Sequence, residues 1–341
     1  MKRYILPVFF TAMATVVLTV TLLVGAGAYA VGSCFIDLAL KRGSGGDPMA
    51  PPVVFKSAIE GSGRKIESAR RPEYPAEEWR LRSFDGLVLQ GTHFQPAEES
   101  HRWVVLVHGY GLEQDYTWQF ADRYLKHGYQ VLTPDMRASG KSEGKYLTMG
   151  ALESRDIEDW VKEIKKRDPA AKILLHGVSM GAATVMLASA RQPDGVVAAI
   201  EDSGYNDLYD LFGTELERLV GVSLRPILEL SDFICRQRAG FSFAEASPIE
   251  AVGNIHLPIL FIHSDVDKLV AYDMMEDLYA VCPATGKEQF TASPTAWPIR
   301  IKIISRRCLL LPIVGPLLKI RAAMFLRAKA IFPVRCVPCY L

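Results

Sequence analysis

The sequence predicts an α/β fold: a three-layer sandwich with a mostly parallel sheet and a small helical cap, preceded by an N-terminal transmembrane helix. Two observations support this prediction. From Glu78 onward, short apolar runs rich in β-forming residues alternate with longer helical patterns, as in a parallel sheet covered by helices. Before that, residues 5–31 are almost wholly apolar, and about 20 such residues suffice to cross a bilayer as a helix.

The flanks of the apolar segment indicate its orientation. Lys2 and Arg3 precede it, and no charged side chain follows before Asp37. Because basic flanks remain in the cytoplasm, we expect a single-pass protein of the cell membrane whose main domain is extracytoplasmic. A cleaved signal peptide is the alternative, with residues 28–30 (Ala-Tyr-Ala) as its cleavage site. The apolar run exceeds a signal's usual core of about 7–15 residues, which favours an uncleaved anchor.

Charge and cysteine content argue against several classes of protein. The chain has 39 Lys and Arg against 38 Asp and Glu, yet residues 289–341 contain nine basic and no acidic side chains. The remainder is therefore mildly acidic, which argues against a nucleic-acid partner. The C-x-x-C at residues 336–339 has no second ligand pair, so we expect no metal site. Because the sequence contains no Gly-rich phosphate loop either, no cofactor is implied.

The order of these features predicts four parts. Residues 1–36 form the transmembrane anchor or signal, and residues 37–76, which include a Gly-Ser-Gly-Gly stretch, form a linker and lead-in. Residues 77–291 form the α/β domain, with a helical cap at about residues 205–251, where no strand pattern occurs. Residues 292–341 form an atypical basic tail.

Turn signals and apolar runs locate the elements of the α/β domain. Asp85-Gly86 predicts a hairpin between Trp79–Phe84 and Leu87–Phe94. Further strands are predicted at residues 103–107, 130–133, 172–175, 196–200, 258–262 and 287–290, and helices at 116–127, 152–166 and 182–190.

The strongest chemical signal is a G-x-S-x-G pattern at residues 177–181, between a strand and a helix. The glycines leave room for a tight, strained turn, which lifts the hydroxyl of Ser179 above the sheet. The pattern alone is weak, because Gly and Ser are common in ordinary β-to-α turns. Its context favours a nucleophilic serine: an apolar strand before it, an Ala-rich helix after it and an acidic turn downstream.

Together with three further motifs, this pattern resembles the alpha/beta-hydrolase family. The motifs are His-Gly-Tyr-Gly at residues 108–111, Asp-Met-Arg-Ala-Ser-Gly-Lys-Ser at 135–142 and His-Ser-Asp-Val-Asp at 263–267. Within the family, the chain is similar to the serine-aminopeptidase and monoacylglycerol-lipase-like branch, including its membrane-anchored bacterial members. The resemblance spans about residues 78–289. It implies a serine hydrolase that acts on small-molecule carboxylic esters or peptides through an acyl-enzyme.

The resemblance also implies roles for individual residues. Ser179 is the nucleophile, the backbone N–H groups of Tyr110 and Met180 form the oxyanion hole, and Asp267 is the acid that orients the catalytic histidine. Asp265 is the alternative acid. The remaining candidates are expected to be structural: Asp135 holds a loop, Asp156 is a solvated or capping group, Asp202 lies near the pocket, and His108 and His176 support the motif backbones.

The catalytic base of the family is missing from its expected place. That base is a histidine C-terminal to the acid, here near residues 292–298, but none of the seven histidines follows His263. A serine hydroxyl is a poor nucleophile until an adjacent base takes its proton. Ser179 is therefore expected to be nearly inert in this sequence.

Three hypotheses account for the missing base. In the first, the tail from about residue 292 is read in a shifted frame, since at the frequency of acidic residues in residues 1–288 about seven are expected in residues 289–341 and none occurs. In the second, the tail is genuine and its apolar segment, residues 308–318, lies on an anionic membrane. The protein is then a catalytically inactive, membrane-associated binding protein with a hydrolase fold. In the third, His263 rotates in as the base.

Overall fold

The computed structural model describes residues 2–43 and 69–292 of the chain. Eight strands form one sheet in the order β1-β2-β4-β3-β5-β6-β7-β8. Their bounds are β1 Ala76–Arg82, β2 Val88–Phe94, β3 Arg102–Val107, β4 Gln130–Pro134, β5 Lys172–Val178, β6 Val196–Asp202, β7 Ile259–Ser264 and β8 Glu288–Ala292. The pairs β1–β2 and β2–β4 are antiparallel, and all other neighbours are parallel.

Helices cover both faces of the sheet. They are α1 Lys2–Leu40, α2 Gln114–Lys126, α3 Glu153–Arg167, α4 Met180–Ser189, α5 Leu208–Val220, α6 Arg225–Arg238, α7 Pro248–Ala251 and α8 Tyr272–Val281. Buried residues of α3, α4 and α8 share one apolar cluster with the sheet. Helix α2 packs in a separate cluster, which contains the alternate residues of the same strands. Since successive side chains of a strand point to opposite faces, the two clusters flank the sheet. The predicted three-layer fold is confirmed.

The predicted elements agree with the structure, apart from their ends. The hairpin around Asp85-Gly86 forms as β1 and β2. The strand predicted to end at Leu175 instead runs to Val178. The sequence pattern assigned the extra residues, 176–178, to the turn before Ser179. However, β5 is a central strand that pairs with β3 on one side and β6 on the other. Ladder hydrogen bonds on both edges therefore extend it.

The N-terminal helix differs most from its predicted bounds. It continues past residue 36 to Leu40, and Ile36, Ala39 and Leu40 are fully buried. These side chains belong to an apolar cluster with α5, α6 and the loop after β3. The first residues of the segment expected to be a linker are thus packed against the cap.

Candidate active site

Ser179 occupies a sharp turn between β5 and α4. Its backbone has φ 57° and ψ −121°, in the positive-φ region that residues with a side chain rarely adopt. The Ser179 amide donates to the carbonyl of Asp202 at 2.8 Å, and the Ser179 carbonyl accepts from the Ala182 N–H at 2.8 Å. These bonds hold the strained backbone in place. The residue remains half-buried, so solvent reaches it.

The two glycines of the motif are required sterically. A Cβ at Gly177 would lie 2.0 Å from the carbonyl oxygen of Gly181, and a Cβ at Gly181 would lie 2.3 Å from the carbonyl oxygen of Val107. Both distances involve backbone atoms, which cannot move aside as a flexible side chain can. The turn is therefore so tight that both positions require glycine, as the sequence pattern predicts.

A cleft that is partly open to solvent lies beside Ser179. Most of its lining is apolar: Tyr110, Met149, Ser179, Met180, Tyr205, Leu211, Leu269 and Val270. The Tyr205 hydroxyl donates to the Met149 carbonyl, and burial raises the pKa of Tyr205, so this hydroxyl stays neutral. The cleft therefore offers mainly apolar contacts to a group placed beside Ser179.

The two expected oxyanion-hole residues both line this cleft. Met180 is the first residue of α4, and an N–H at that position has no acceptor within its own helix. The partial positive charge of the helix N-terminus adds to it. Tyr110 lies in the loop after β3, the strand that neighbours β5. The carboxyl ends of parallel strands meet at one edge of a sheet, so the fold brings the two residues together. Their role as the oxyanion hole stays a prediction.

Asp267 lies in the loop after β7, at the same sheet edge. Its Oδ1 accepts hydrogen bonds from the backbone N–H groups of Leu269 at 3.0 Å and Val270 at 3.1 Å. Leu269 and Val270 also line the cleft, so the loop that holds this carboxylate forms part of the cleft wall. Asp265, the alternative acid, is exposed. The geometry favours Asp267, whose catalytic role stays a prediction.

His108 and His176 have structural surroundings. His108 is fully buried, and its Nδ1 donates to the Gly109 carbonyl at 2.9 Å while its Nε2 accepts from the Met136 N–H at 3.0 Å. Burial lowers the pKa of His108. Burial also lowers the pKa of His176 to about 4, and its ring packs edge-on against Phe120. Both rings are therefore neutral parts of the core near neutral pH.

His263 is poorly placed to serve as the base. It is fully buried, its Nε2 donates to the Val270 carbonyl at 2.9 Å, and its ring packs against Tyr272. It does not line the cleft. To accept a proton from Ser179 it would have to leave this packing and give up that hydrogen bond. The expected location of the family's histidine, residues 292–298, lies outside the described residues except for its first position.

The expectation for Asp156 was wrong. Asp156 is buried rather than solvated, and its two carboxylate oxygens each accept a hydrogen bond from Arg137 at 2.7 Å. Burial raises the pKa of Asp156 to about 7, against the opposing effect of Arg137. The sequence showed a charged residue on an amphipathic helix, but it could not show that Arg137, in the loop between β4 and α3, supplies the partner. Asp135, as expected, holds its loop by accepting from the Gln114 and Lys141 amides.

Sequence reasoning missed the contact between α1 and the site. The Tyr110 hydroxyl donates to the Ala39 carbonyl at 2.6 Å, so the end of α1 supports the loop of an expected oxyanion donor. No sequence signal identifies this contact, because every residue offers a backbone carbonyl.

Comparisons with known proteins agree with this geometry. Residues 98–205, which include Tyr110 and the Ser179 turn, match the family model described as serine aminopeptidase, S33. A protein of Bacillus subtilis (strain 168), named "Uncharacterized protein YqkD", is 30% identical over 196 residues. That alignment covers 57% of this chain and 64% of the relative, so the chain spans under two thirds of the relative's length.

Solved structures share the fold at low identity. The Pyrococcus furiosus esterase Pf2001 is 22% identical with a TM-score of 0.56, over 71% of this chain and 97% of that one. Est1E of Butyrivibrio proteoclasticus, solved with ferulic acid, is 18% identical with a TM-score of 0.54, over 68% of this chain and 98% of that one. The Pyrococcus horikoshii acylaminoacyl peptidase is 19% identical with a TM-score of 0.50, over 77% of this chain and 46% of that one.

The sheet order, the serine turn and these matches define the fold. The chain has the alpha/beta-hydrolase fold, and its residues 98–205 match the serine-aminopeptidase family model. The resemblance inferred from the four motifs is confirmed at this level.

Proposed function

We propose that this protein is built as a serine hydrolase for small carboxylic esters or peptides, acting through an acyl-enzyme at Ser179. The main support is one observation: a half-buried serine on a strained turn, at the N-terminus of α4 and beside an apolar cleft. A non-glycine residue at positive φ costs about 1–3 kcal/mol, and such strain clusters at functional sites. A turn with only a structural role would be served better by glycine.

The reaction follows from the chemistry of the site. The Ser179 Oγ attacks the substrate carbonyl carbon while its proton passes to a base. The N–H groups of Met180 and Tyr110 stabilise the oxyanion that forms. The base then returns the proton to the departing alcohol or amine, which leaves an acyl ester on Ser179. Water, deprotonated by the same base, attacks the acyl carbon, its bond to the Ser179 oxygen breaks and the carboxylic acid leaves, while the base returns the proton to the Ser179 Oγ. Asp267 orients the base and stabilises its charged form.

The step that this sequence lacks is the proton transfer. No histidine is among the described residues that line the cleft, and no histidine follows His263 in the sequence. In subtilisin, loss of the catalytic histidine lowers turnover by about a millionfold. We therefore propose that this chain has a hydrolase site crippled for catalysis, with the shifted tail as the preferred explanation.

A serine-directed fluorophosphonate tests both halves of this proposal. With the base absent, we expect Ser179 to be labelled at least about a thousandfold more slowly than in an intact serine hydrolase. Any residual labelling should disappear in Ser179→Ala and persist in Ser223→Ala, which changes an exposed serine. Rapid labelling of the native chain would contradict the impairment.

The genomic locus provides the complementary test. If the tail is shifted, another reading frame after residue 292 encodes a histidine, and a chain with that continuation is labelled rapidly at Ser179. If no frame encodes one, the shifted-tail hypothesis fails. A histidine-restored chain whose Ser179 stays unlabelled would contradict the serine-hydrolase proposal itself.

A second function is ligand binding without catalysis. It is favoured because the described lining of the cleft is mostly apolar and contains no histidine. A fluorescent fatty-acyl ester would then bind this chain and remain uncleaved. Leu211→Trp, which fills the cleft wall, should weaken binding, whereas the exposed control Val281→Trp should not. Unchanged binding in the Leu211 variant would exclude the cleft as the binding site.

We also propose that α1 anchors the protein in the cell membrane as a single pass, with the main domain outside the cytoplasm. Residues 13–40 lie within one helix. The most apolar window of this segment has a mean hydropathy of 2.0, and no residue of that window is buried. Lys2 and Arg3 orient it by the positive-inside rule. Protease added to intact spheroplasts should digest the main domain. Full protection would contradict this topology, and release of the domain into the medium would indicate a cleaved signal instead.

A further inference from the structure

The last two turns of α1 are docked on the cap along one face of the helix. Gly32, Ile36 and Leu40 recur every four residues and are buried, whereas Cys34 and Leu38 are exposed. At Gly32 a Cβ would lie 3.1 Å from the Ile234 Cδ1 and 3.2 Å from the Ser231 Oγ. The glycine therefore lets α1 and α6 approach closely.

Polar contacts reinforce this docking. Arg238 of α6 donates to the Ser33 Oγ at 2.6 Å and to the carboxylate of Asp37. At the end of α1, the Leu40 carbonyl accepts from the N–H of Leu147, in the loop between β4 and α3, at 2.8 Å. The N-terminal helix is therefore joined by packing and hydrogen bonds to the cap, and by a further hydrogen bond to the loop before α3.

The contacts also determine the direction of the cap helices. Ser231 faces Gly32 and Arg238 reaches Asp37, so α6 runs in the same direction as α1. Since α5 and α6 are joined by a short turn and pack on each other, α5 runs the opposite way. Its Phe212 packs edge-on against Phe35 of α1, with ring centroids 5.3 Å apart.

Helix geometry then gives the level of the α5–α6 turn. At a rise of 1.5 Å per residue, Val220 lies about 12 Å beyond Phe212, and Arg225 lies about 9 Å before Ser231. Counted back along α1 from Phe35 and from Gly32, both distances lead to the neighbourhood of Gly27. With both cap helices running roughly along the axis of α1, the two counts place the turn next to the exposed apolar part of α1, where Leu22, Leu23 and Val24 are each more than 60% exposed.

The turn itself has a surface suited to a lipid boundary. Val222 is 57% exposed, and Arg225 and Pro226 are also exposed. Arg225 can meet lipid phosphates, although Glu229 lies 3.7 Å from it and Glu217 is exposed nearby. An apolar side chain beside a basic one is typical of segments that lie in the headgroup region.

We propose that the cap tip, residues 221–226, is a second membrane contact that lies in the headgroup boundary of the bilayer that holds α1. This inference rests on the proposed membrane anchoring. From the cap tip, α5 leads back to Leu211 on the cleft wall, about 14 Å away at the helical rise. The Ser179 cleft is thereby held close to the leaflet, which favours an ester whose acyl chain lies in that leaflet.

Tryptophan quenching by brominated lipids tests the contact without requiring catalysis. The full chain is placed in nanodiscs of phosphatidylcholine and phosphatidylglycerol whose acyl chains carry bromine, and the emission of the parent chain is subtracted. For Val222→Trp we expect roughly half of the added emission to be lost, because a headgroup-level side chain reaches about 5–10 Å into the boundary. Val281→Trp, at a valine that is 51% exposed on α8, should lose none.

The outcomes separate the possible failures. Equal quenching at positions 222 and 281, or none at 222, overturns the proposal. Leu22→Trp, within α1, should be quenched more strongly than Val222→Trp. If it is not quenched, α1 does not lie in the bilayer and the inference fails with the anchoring, while the Ser179 proposal stands. If Ser179 fails the fluorophosphonate test but Val222→Trp is quenched, the membrane contact stands alone.

Discussion

The two sides of the cleft are built in different ways. On one side, Ser179 is held by a central strand, a helix and two glycines that the backbone itself makes obligatory. On the other side, Asp267 is held by two N–H groups of its own loop, at the edge where the described chain ends in β8. The first side depends on close packing of the core, and the second on local hydrogen bonds. This difference predicts that substitutions on the two sides differ in cost.

Gly181→Ala should have the largest effect. The added methyl group would lie 2.3 Å from the Val107 carbonyl oxygen, and strand β3 would have to shift. We expect a loss of more than about 3 kcal/mol of unfolding free energy, measured by urea denaturation. Gly213→Ala is the matched control, because its Cβ meets only Leu228, at 3.8 Å. This control should gain about 0.5–1 kcal/mol from helix propensity, and equal effects at the two positions would contradict the steric argument.

Acidification should destabilise the protein through His176, which lies on β5, the strand that leads to Ser179. The pKa of His176 is lowered by burial from 6.5 to about 4, so between these values the unfolded chain binds a proton that the folded chain does not. The free energy of unfolding therefore falls as pH falls through this window, by about 2 kcal/mol between pH 6.5 and 5 for this residue. Buried His93 and His108, whose pKa values are also lowered, add to the effect. Denaturation of His176→Gln should show a shallower pH dependence, and an unchanged slope would remove His176 as a cause.

Asp267→Ala should cost about 1–2 kcal/mol, because it leaves the Leu269 and Val270 amides without their charged acceptor. Asp265→Ala, at the exposed neighbouring acid, should change stability by less than about 0.5 kcal/mol. Thermal or urea denaturation of the pair measures the difference. Equal costs would mean that the loop does not depend on Asp267.

Ser179→Gly should have the smallest effect, and it should stabilise the protein. Glycine removes the strain of positive φ, and the gain of about 1–3 kcal/mol is partly offset by the flexibility of glycine in the unfolded chain. We expect a net gain of about 1 kcal/mol together with complete loss of fluorophosphonate labelling. Ser189→Gly, at the other end of the same helix, should instead destabilise by about 1 kcal/mol. A loss of stability at position 179 would mean that the turn is unstrained.

Much of the fold could be predicted from the sequence because its signals are local. The Asp85-Gly86 turn, the apolar run before Gly177 and the Ala-rich helix after it each depend on neighbouring residues. Asp156 could not be understood in this way, because its partner Arg137 lies 19 residues earlier, in the loop that precedes α3. The end of α1 was misread for the same reason: Asp37 signalled the end of an apolar segment, yet it pairs with Arg238, some two hundred residues away in the chain.

The sequence by itself determined the class of fold, the serine turn and the absence of a histidine between His263 and residue 341, since strand and helix periods, glycine positions and residue identities are properties of the chain alone. Only the tertiary structure decided that Asp267 holds the loop of the cleft wall, that His263 is engaged elsewhere, and that the N-terminal helix packs on the cap. Those facts depend on contacts between residues distant in the chain, and a contact of that kind is specified by the packing of the whole core.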